Sequence, residues 1–151
     1  MNATETTRQQ EFRTLCHTRG VAATHQREQI YLALMQGDCH PTPEELYARV
    51  HTLLPSLSLA TVYKTLHFFV ASGIAGEVTA RGAAMRVDAN PRPHHHAVCR
   101  ECGRIYDVEL SEEPALDTVR ALPEGFEAQR CAVEVQGVCR ACAAHQEPAK
   151  S

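Results

Sequence analysis

One stretch of fourteen residues constrains this chain more than any other: His94-His95-His96-Ala97-Val98-Cys99-Arg100-Glu101-Cys102-Gly103-Arg104-Ile105-Tyr106-Asp107. It holds three histidines, a CxxC pair and a carboxylate, and a second CxxC pair, Cys139 and Cys142, follows later. Two such pairs bring four thiolates to one ion, the closed tetrahedral site that structural zinc prefers. The pairs are separated by 36 residues, more than the roughly 15–20 of a compact zinc ribbon. Zinc at Cys99, Cys102, Cys139 and Cys142 would therefore pin a C-terminal tail back onto an earlier hairpin. The competing reading, a dithiol redox pair, is disfavoured because Cys99 falls in a strand-to-strand turn with no helix N-terminus to lower its pKa.

The histidines pose a separate problem, since four cysteines already saturate one metal. In an extended strand His94 and His96 point to one side and His95 to the other. Asp107, in the next strand, is placed to face the same pair, and Asp88 supplies a second carboxylate upstream. Imidazoles and carboxylates without sulfur suit iron, manganese or another borderline-to-hard divalent ion. The bland alternative is a solvated histidine tract.

Seven cysteines favour metal or redox work over a disulfide framework in a reducing compartment. That compartment is the expected one. The N-terminus lacks the basic-then-apolar layout of a secretory signal, and no apolar run approaches the ~20 residues of a membrane span. The chain is thus expected to be cytoplasmic, with no membrane partner. The remaining cysteines, Cys16, Cys39 and Cys131, read as small buried hydrophobes.

Ahead of this stretch the pattern is helical. Phe12, Leu15 and Cys16 share a face over Thr4–His17, with Gly20 as a stop. Thr24 caps a second helix that runs through Ile30, Tyr31, Leu34 and Met35. Thr42-Pro43-Glu44-Glu45 is a capping box with proline in the first turn, and it opens a third helix. Ser58 caps a fourth, Leu59 to Ser72, stopped by Gly73. Its inner face is Leu59, Val62, Leu66, Phe69 and Val70, and its outer face is Ala60, Thr61, Tyr63, Lys64, Thr65 and His67. Gly76–Ala80 and Ala84–Asp88 then flank a turn at Arg81-Gly82, a β-hairpin. Helices followed by a small hairpin make a winged helix-turn-helix, whose helix before the wing enters the major groove.

Charge argues for caution about DNA. Residues 1–90 carry eight Lys/Arg against eight Asp/Glu, and residues 91–151 seven against ten. No basic tail announces phosphate binding, so affinity per subunit should be modest and conditional on something else. After the proline-rich Ala89-Asn90-Pro91-Arg92-Pro93, strands are expected at His94–Val98 and Gly103–Val108. A short helix is expected at Glu113–Leu122, and a strand at Phe126–Val138. The predicted organisation is α+β: a DNA-binding head over 1–88, a hinge at 89–93, and a second domain over 94–151.

Taken together, these residues resemble the ferric-uptake-regulator (Fur) family of bacterial metal-dependent repressors over about residues 10–145. The matching pieces are Thr24–Arg27, His40–Tyr47, Ser58–Leu66, Arg86–Asp88, His94–Gly103 and Gly137–Cys142, in order and at the right spacing. The resemblance implies a homodimer with an N-terminal winged-helix head and a C-terminal α/β dimerisation domain. It implies structural Zn2+ on Cys99, Cys102, Cys139 and Cys142. It also implies a regulatory Fe2+ or Mn2+ on His40, Asp88, His94, His96 and Asp107, whose binding favours the state that grips double-stranded operator DNA. The contacts expected there are Ala60, Thr61, Tyr63, Lys64 and His67, joined by Arg27 and Arg19; relatives often carry a basic residue at the position of Ala22, and that contact is expected here to be either absent or moved to Arg19.

Within the family, aspartate at Asp107 together with Asp88 resembles the peroxide-sensing PerR branch. There, iron-catalysed oxidation of a ligating histidine, here His40 or His94, releases the DNA. Iron sensors usually carry glutamate at the position of Asp107, so an iron-responsive repressor of uptake genes is the alternative. Cys131 stands where many iron-sensing members have a histidine, and one regulatory metal per subunit is expected. A metalloenzyme is disfavoured, since no nucleophile, phosphate loop or substrate-binding pattern is visible. A metal-storage protein would not need the fourth helix and the hairpin.

Overall fold

The computed structural model describes residues 3–37, 40–78, 84–112, 114, 116 and 119–146. The chain divides into two compact units, Met1–Arg92 and Pro93–Ser151.

The first unit carries α1 (Ala3–Thr18), α2 (His25–Leu34), α3 (Pro43–His51), α4 (Leu59–Ala71), β1 (Gly76–Val78) and β2 (Arg86–Asp88). Its helices begin where short polar side chains satisfy exposed amides: the hydroxyls of Thr24, Thr42 and Ser58 accept from the backbone N–H groups of Arg27, Glu45 and Thr61. At Thr42 the box is complete, because Glu45 accepts the Thr42 N–H at 2.7 Å. Gly20 (φ +64°) and Gly73 (φ +67°) end α1 and α4 in the left-handed region, where a side chain would be strained.

The helices close on an aromatic centre. Phe12 stacks on Tyr31 at 4.9 Å and meets Phe69 edge-on at 5.8 Å, with Cys16, Ile30, Leu34, Leu46, Val62 and Leu66 buried around them. Thr65, expected on the outer face of α4, is instead buried, so the inner stripe is Val62, Thr65, Leu66 and Phe69. The exposed stripe is Ala60, Lys64, His67 and Ala71, at helical spacing. β1 and β2 pair antiparallel, with Gly76 opposite Asp88 and Val78 opposite Arg86; the expected turn at Arg81-Gly82 lies outside the described residues.

The division between the units falls within the 89–93 stretch, and residues 89–92 go with the first unit. Ala89 packs against the first core, Asn90 N–H donates to Asp88 Oδ1 at 2.7 Å, and Arg92 N–H donates to Asn90 Oδ1 at 3.1 Å. Residues 89–92 are thus tied to β2 by successive side-chain-to-backbone turns.

The second unit carries β3 (His95–Cys99), β4 (Ile105–Val108), β5 (Glu134–Gly137) and α5 (Arg140–Gln146). The sheet order is β4-β3-β5. β3 pairs antiparallel with β4, His96 opposite Asp107, and parallel with β5, Cys99 opposite Gly137. Two expectations fail here. The strand expected over Phe126–Val138 makes ladder bonds only at Glu134–Gly137. The helix expected over Glu113–Leu122 has no α-helical turn among the described residues; Ala121, at φ +59°, has a backbone no helix can continue. Residues 113, 115, 117 and 118 of that stretch lie outside the described residues. Helix α5 was not expected, although its Arg-Ala-Cys-Ala-Ala run has good helix propensity.

Candidate functional site

Two groups of metal-ligating side chains differ in chemistry. In the second unit the thiols of Cys99, Cys102, Cys139 and Cys142 lie within 4.8 Å of one another. Cys102 Sγ and Cys139 Sγ are 3.8 Å apart. A tetrahedral ion with metal–sulfur bonds of about 2.3 Å separates its sulfurs by about 3.8 Å, so the donor set fits zinc.

The backbone prepares this cluster. Gly103 (φ +69°) turns the chain between β3 and β4, and its N–H donates to Cys99 O at 2.9 Å. Amides of Cys102, Cys139 and Glu101 point at the Cys99 sulfur and bring its thiol down to about 6. No helix N-terminus is involved, as expected, yet the thiol is lowered all the same, because turn amides do the work that a helix N-terminus would do. Cys139 is lowered too, first by the Cys142 amide. Cys142 shares its proton with the Cys139 and Cys102 sulfurs and is pushed up to about 12. This is a set of thiols sharing protons, which a cation displaces together.

On the same strand the histidines alternate as the pleat requires. His94 Nε2 lies 3.1 Å and His96 Nε2 3.8 Å from Asp107 Oδ1, and the two rings are 4.4 Å apart. His95 faces the other way and is buried; its Nδ1 accepts the Val133 N–H at 3.1 Å. It is a structural histidine at the start of the β5 pairing. The His94–His96–Asp107 group is a sulfur-free set of donors within the second unit.

A second sulfur-free group belongs to the first unit. His40 and Asp88 are both buried, with Nε2 and Oδ2 3.5 Å apart. The sequence separates them by 48 positions, and three contacts join their segments. Val87 N–H donates to Pro41 O at 3.0 Å. Arg86 donates to His40 O at 2.9 Å and lies 3.6 Å from Glu45. Gly76, opposite Asp88, has no Cβ to crowd it; one placed there would stand 3.3 Å from Asp88 Cβ. Arg86, Asn90 and Gly76 were missed as supporting residues, and only the Arg86-Val87-Asp88 match hinted at them.

On α4, Ala60, Lys64 and His67 are exposed, while Thr61 and Tyr63 are half-buried beside them. Tyr63 donates its hydroxyl to Glu44 Oε1 at 2.6 Å and stacks on His67. The two expected arginine contacts are otherwise engaged. Arg19 donates to the carbonyls of Ser72 and Gly73. Arg27 donates to Ala22 O and lies 4.0 Å over the Phe68 ring. Both hold helix ends with groups that a phosphate would have to win away. Of the single cysteines, Cys16 is buried in the core and Cys131 is half-buried; Cys39 lies outside the described residues.

Comparison with known proteins supplies context for this arrangement. The profile of the Ferric uptake regulator family matches residues 18–136. The peroxide operon regulator of Bacillus subtilis (strain 168) is 36% identical over 126 residues, which cover 82% of this chain and 85% of that protein. The peroxide-responsive repressor PerR of Staphylococcus epidermidis (strain ATCC 12228 / FDA PCI 1200) is 35% identical, covering 82% of each chain. Among solved structures, a zinc-bound manganese uptake regulator superposes with TM-score 0.66 at 29% identity, over 85% of this chain and 98% of that one. The Helicobacter pylori ferric uptake regulator, at 19% identity and TM-score 0.68 over 97% and 96%, shares the fold.

Proposed function

Since this chain belongs to the ferric uptake regulator family, we propose that it is a cytoplasmic, homodimeric repressor that binds operator DNA when metal-loaded and releases it on meeting hydrogen peroxide. The observation that carries the reading is the chemical contrast between the sulfur-only cluster of the second unit and the sulfur-free imidazole–carboxylate groups, His40 with Asp88 in the first unit and His94 and His96 with Asp107 in the second. The four cysteines hold structural zinc. His40 and Asp88 of the first unit and His94, His96 and Asp107 of the second together hold one Fe(II) or Mn(II). A ligand set drawn from both units makes metal binding a fixed hinge, and a fixed hinge spaces two heads for two half-sites.

Each side chain then has a defined task. Asn90 holds Asp88 Oδ1, which leaves Oδ2 on the His40 side. Arg86 fixes the His40 carbonyl and so the backbone from which the imidazole projects. The outer face of α4, with Ala60, Lys64 and His67 exposed and Thr61 and Tyr63 half-buried beside them, enters the major groove. Tyr106, Phe126, Val135 and Val138, all exposed in the single chain, cover one another's counterparts in the dimer. Fe(II) held by His40, Asp88, His94, His96 and Asp107 would supply the electrons that reduce peroxide, and His40 or His94, as its ligands, would be the side chains exposed to oxidation. An oxidised imidazole is a poorer ligand, and the hinge is released. The relatives named for peroxide response at 35–36% identity support this branch.

The test uses Fe(II)-loaded protein prepared without oxygen and given one equivalent of hydrogen peroxide. Peptide mass spectrometry should find an added oxygen on the His40 or His94 peptide as DNA binding disappears. Unmodified histidines, with binding governed by iron concentration alone, would make the protein an iron-responsive repressor instead. Asp107→Glu should keep metal-dependent DNA binding and lose most of its peroxide sensitivity, read by the same two assays. Undiminished inactivation in that variant would remove Asp107 as the basis of the peroxide reading.

A further inference from the structure

Glu44 has no part in either metal set. It lies in the first turn of α3, beside Glu45, which completes the capping box. Glu45 turns back to the Thr42 N–H. Glu44 turns outward instead and accepts the hydroxyl proton of Tyr63 on α4 at 2.6 Å, a charge-assisted bond of the short, strong kind. Glu44 is exposed and Tyr63 half-buried, so both lie on the outward side of the helix pair. The His67 ring, one turn further along α4, stacks against the Tyr63 ring with centroids 6.5 Å apart and planes at 30°. The phenol is therefore held from two directions.

A phenol has one proton to give and two lone pairs to offer. Once Glu44 has the proton, the outward face of Tyr63 is an acceptor only. The major groove presents hydrogen-bond donors at just two places, the N6 amine of adenine and the N4 amine of cytosine; thymine O4 and guanine O6 and N7 are acceptors. An acceptor-only surface meets the first pair favourably and the second with two lone-pair faces opposed.

We propose that Glu44 determines the base preference of α4 by taking the Tyr63 proton, so that the Glu44–Tyr63 pair selects adenine or cytosine at the base it reaches. The inference rests on the reading of α4 as the major-groove helix. Glu44 acts through Tyr63 as a positioning residue, and its removal returns to Tyr63 a donor that accepts thymine and guanine.

The experiment selects duplexes from a randomised DNA pool with the full-length, Mn(II)-loaded protein, then measures affinities of the enriched duplexes and their single-base variants by competition. Wild type should enrich adenine or cytosine at one position of each half-site. Glu44→Ala should admit guanine and thymine at that position alone, with the preference falling on the order of five-fold, the size of one hydrogen bond. Glu44→Gln, whose carbonyl still accepts the Tyr63 proton, should keep the wild-type preference, which a merely structural role for the charge would not explain. Tyr63→Phe should lose the preference, and the double variant with Glu44→Ala should match Tyr63→Phe. A wild-type base preference in Glu44→Ala would overturn the inference while leaving the DNA-binding reading intact. Failure of wild type to enrich any sequence would overturn that reading, and the inference with it.

Discussion

Asp88 shows how a missing atom makes room for a buried carboxylate. Its carboxylate is buried opposite Gly76, with Asn90 N–H on one oxygen and His40 near the other. Gly76→Ala places a methyl 3.3 Å from Asp88 Cβ, and the neighbour that must yield is the side chain proposed as a ligand. Mn(II) affinity should fall about tenfold, the size typical of a disturbed supporting residue, while the melting curve of the metal-free protein stays close to wild type. Unchanged affinity would mean that Asp88 is not a ligand or has room to move. The Glu44–Tyr63 bond has a pH signature as well. The Tyr63 hydroxyl, then Glu44's own backbone N–H, hold the Glu44 carboxyl below the usual carboxylate range, and the Glu44 carboxylate pushes the Tyr63 phenol up. A lowered carboxyl stabilises the fold above its ordinary pKa and loses that contribution as pH falls through the lowered value; the raised phenol loses its share as pH rises past its ordinary value. In Tyr63→Phe the Glu44 titration, followed by NMR, should move up toward that of a free glutamate. A titration that stays where it was would show that Tyr63 is not the cause. His94, His96 and Asp107 were legible as a group because strand alternation and a short hairpin fix them from sequence alone. His40 with Asp88, and Glu44 with Tyr63, were not derivable that way, since each pair is made by tertiary packing of distant segments.

At the scale of elements, caps decided what was legible. Thr24, Thr42, Ser58, Gly20 and Gly73 mark helix ends by local chemistry, and α1 to α4 stand within a residue or two of the sequence reading. Thr42→Ala should cost about 1 kcal/mol, seen as a lower urea midpoint with the slope unchanged; a loss near zero would mean Pro43 and Glu45 hold the helix start without it. That cap also belongs to a longer chain of contacts, because Glu45 meets Arg86, and Arg86 holds the His40 carbonyl. The start of α3 and the His40–Asp88 pair therefore share their supports. The elements that were misjudged are those whose state depends on partners far along the chain. Alternating Cys131, Val133 and Val135 fit a long strand, yet only Glu134–Gly137 finds β3 to pair with. The apolar positions in 113–122 suited a helix, yet Ala121 has φ +59°, which no periodicity reveals. Thr65 is a third case: a β-branched residue whose methyl serves a core as readily as its hydroxyl serves a surface.

For the molecule as a whole, the division of labour is chemical. The first unit has its own aromatic core and holds none of the four clustered cysteines, whereas the second has a three-stranded sheet and a thiol cluster in place of a large core. Small units of this kind rely on metal for stability. Cys142→Ser should lose zinc by native mass spectrometry and lose the dimer by light scattering, while the helical circular dichroism of the first unit persists; a zinc-free variant that remains dimeric would contradict the assignment. The Arg19 guanidinium, fastened to the last carbonyls of α4 at Ser72 and Gly73, has a mechanical meaning beyond neutralising a helix end. It makes the C-terminus of α4 a pivot. At 13 residues the helix is a lever of about 20 Å, so a tilt of only ~5° about that pivot swings its far end by roughly 1.7 Å, half the length of a hydrogen bond. A helix-turn-helix touches bases with the N-terminal part of its recognition helix, the end of this lever that moves most. On the proposed DNA-binding reading, the Arg19 anchor thus sets the aim of the base-contacting end, and a few degrees of error at Ser72 and Gly73 would carry it out of hydrogen-bonding register.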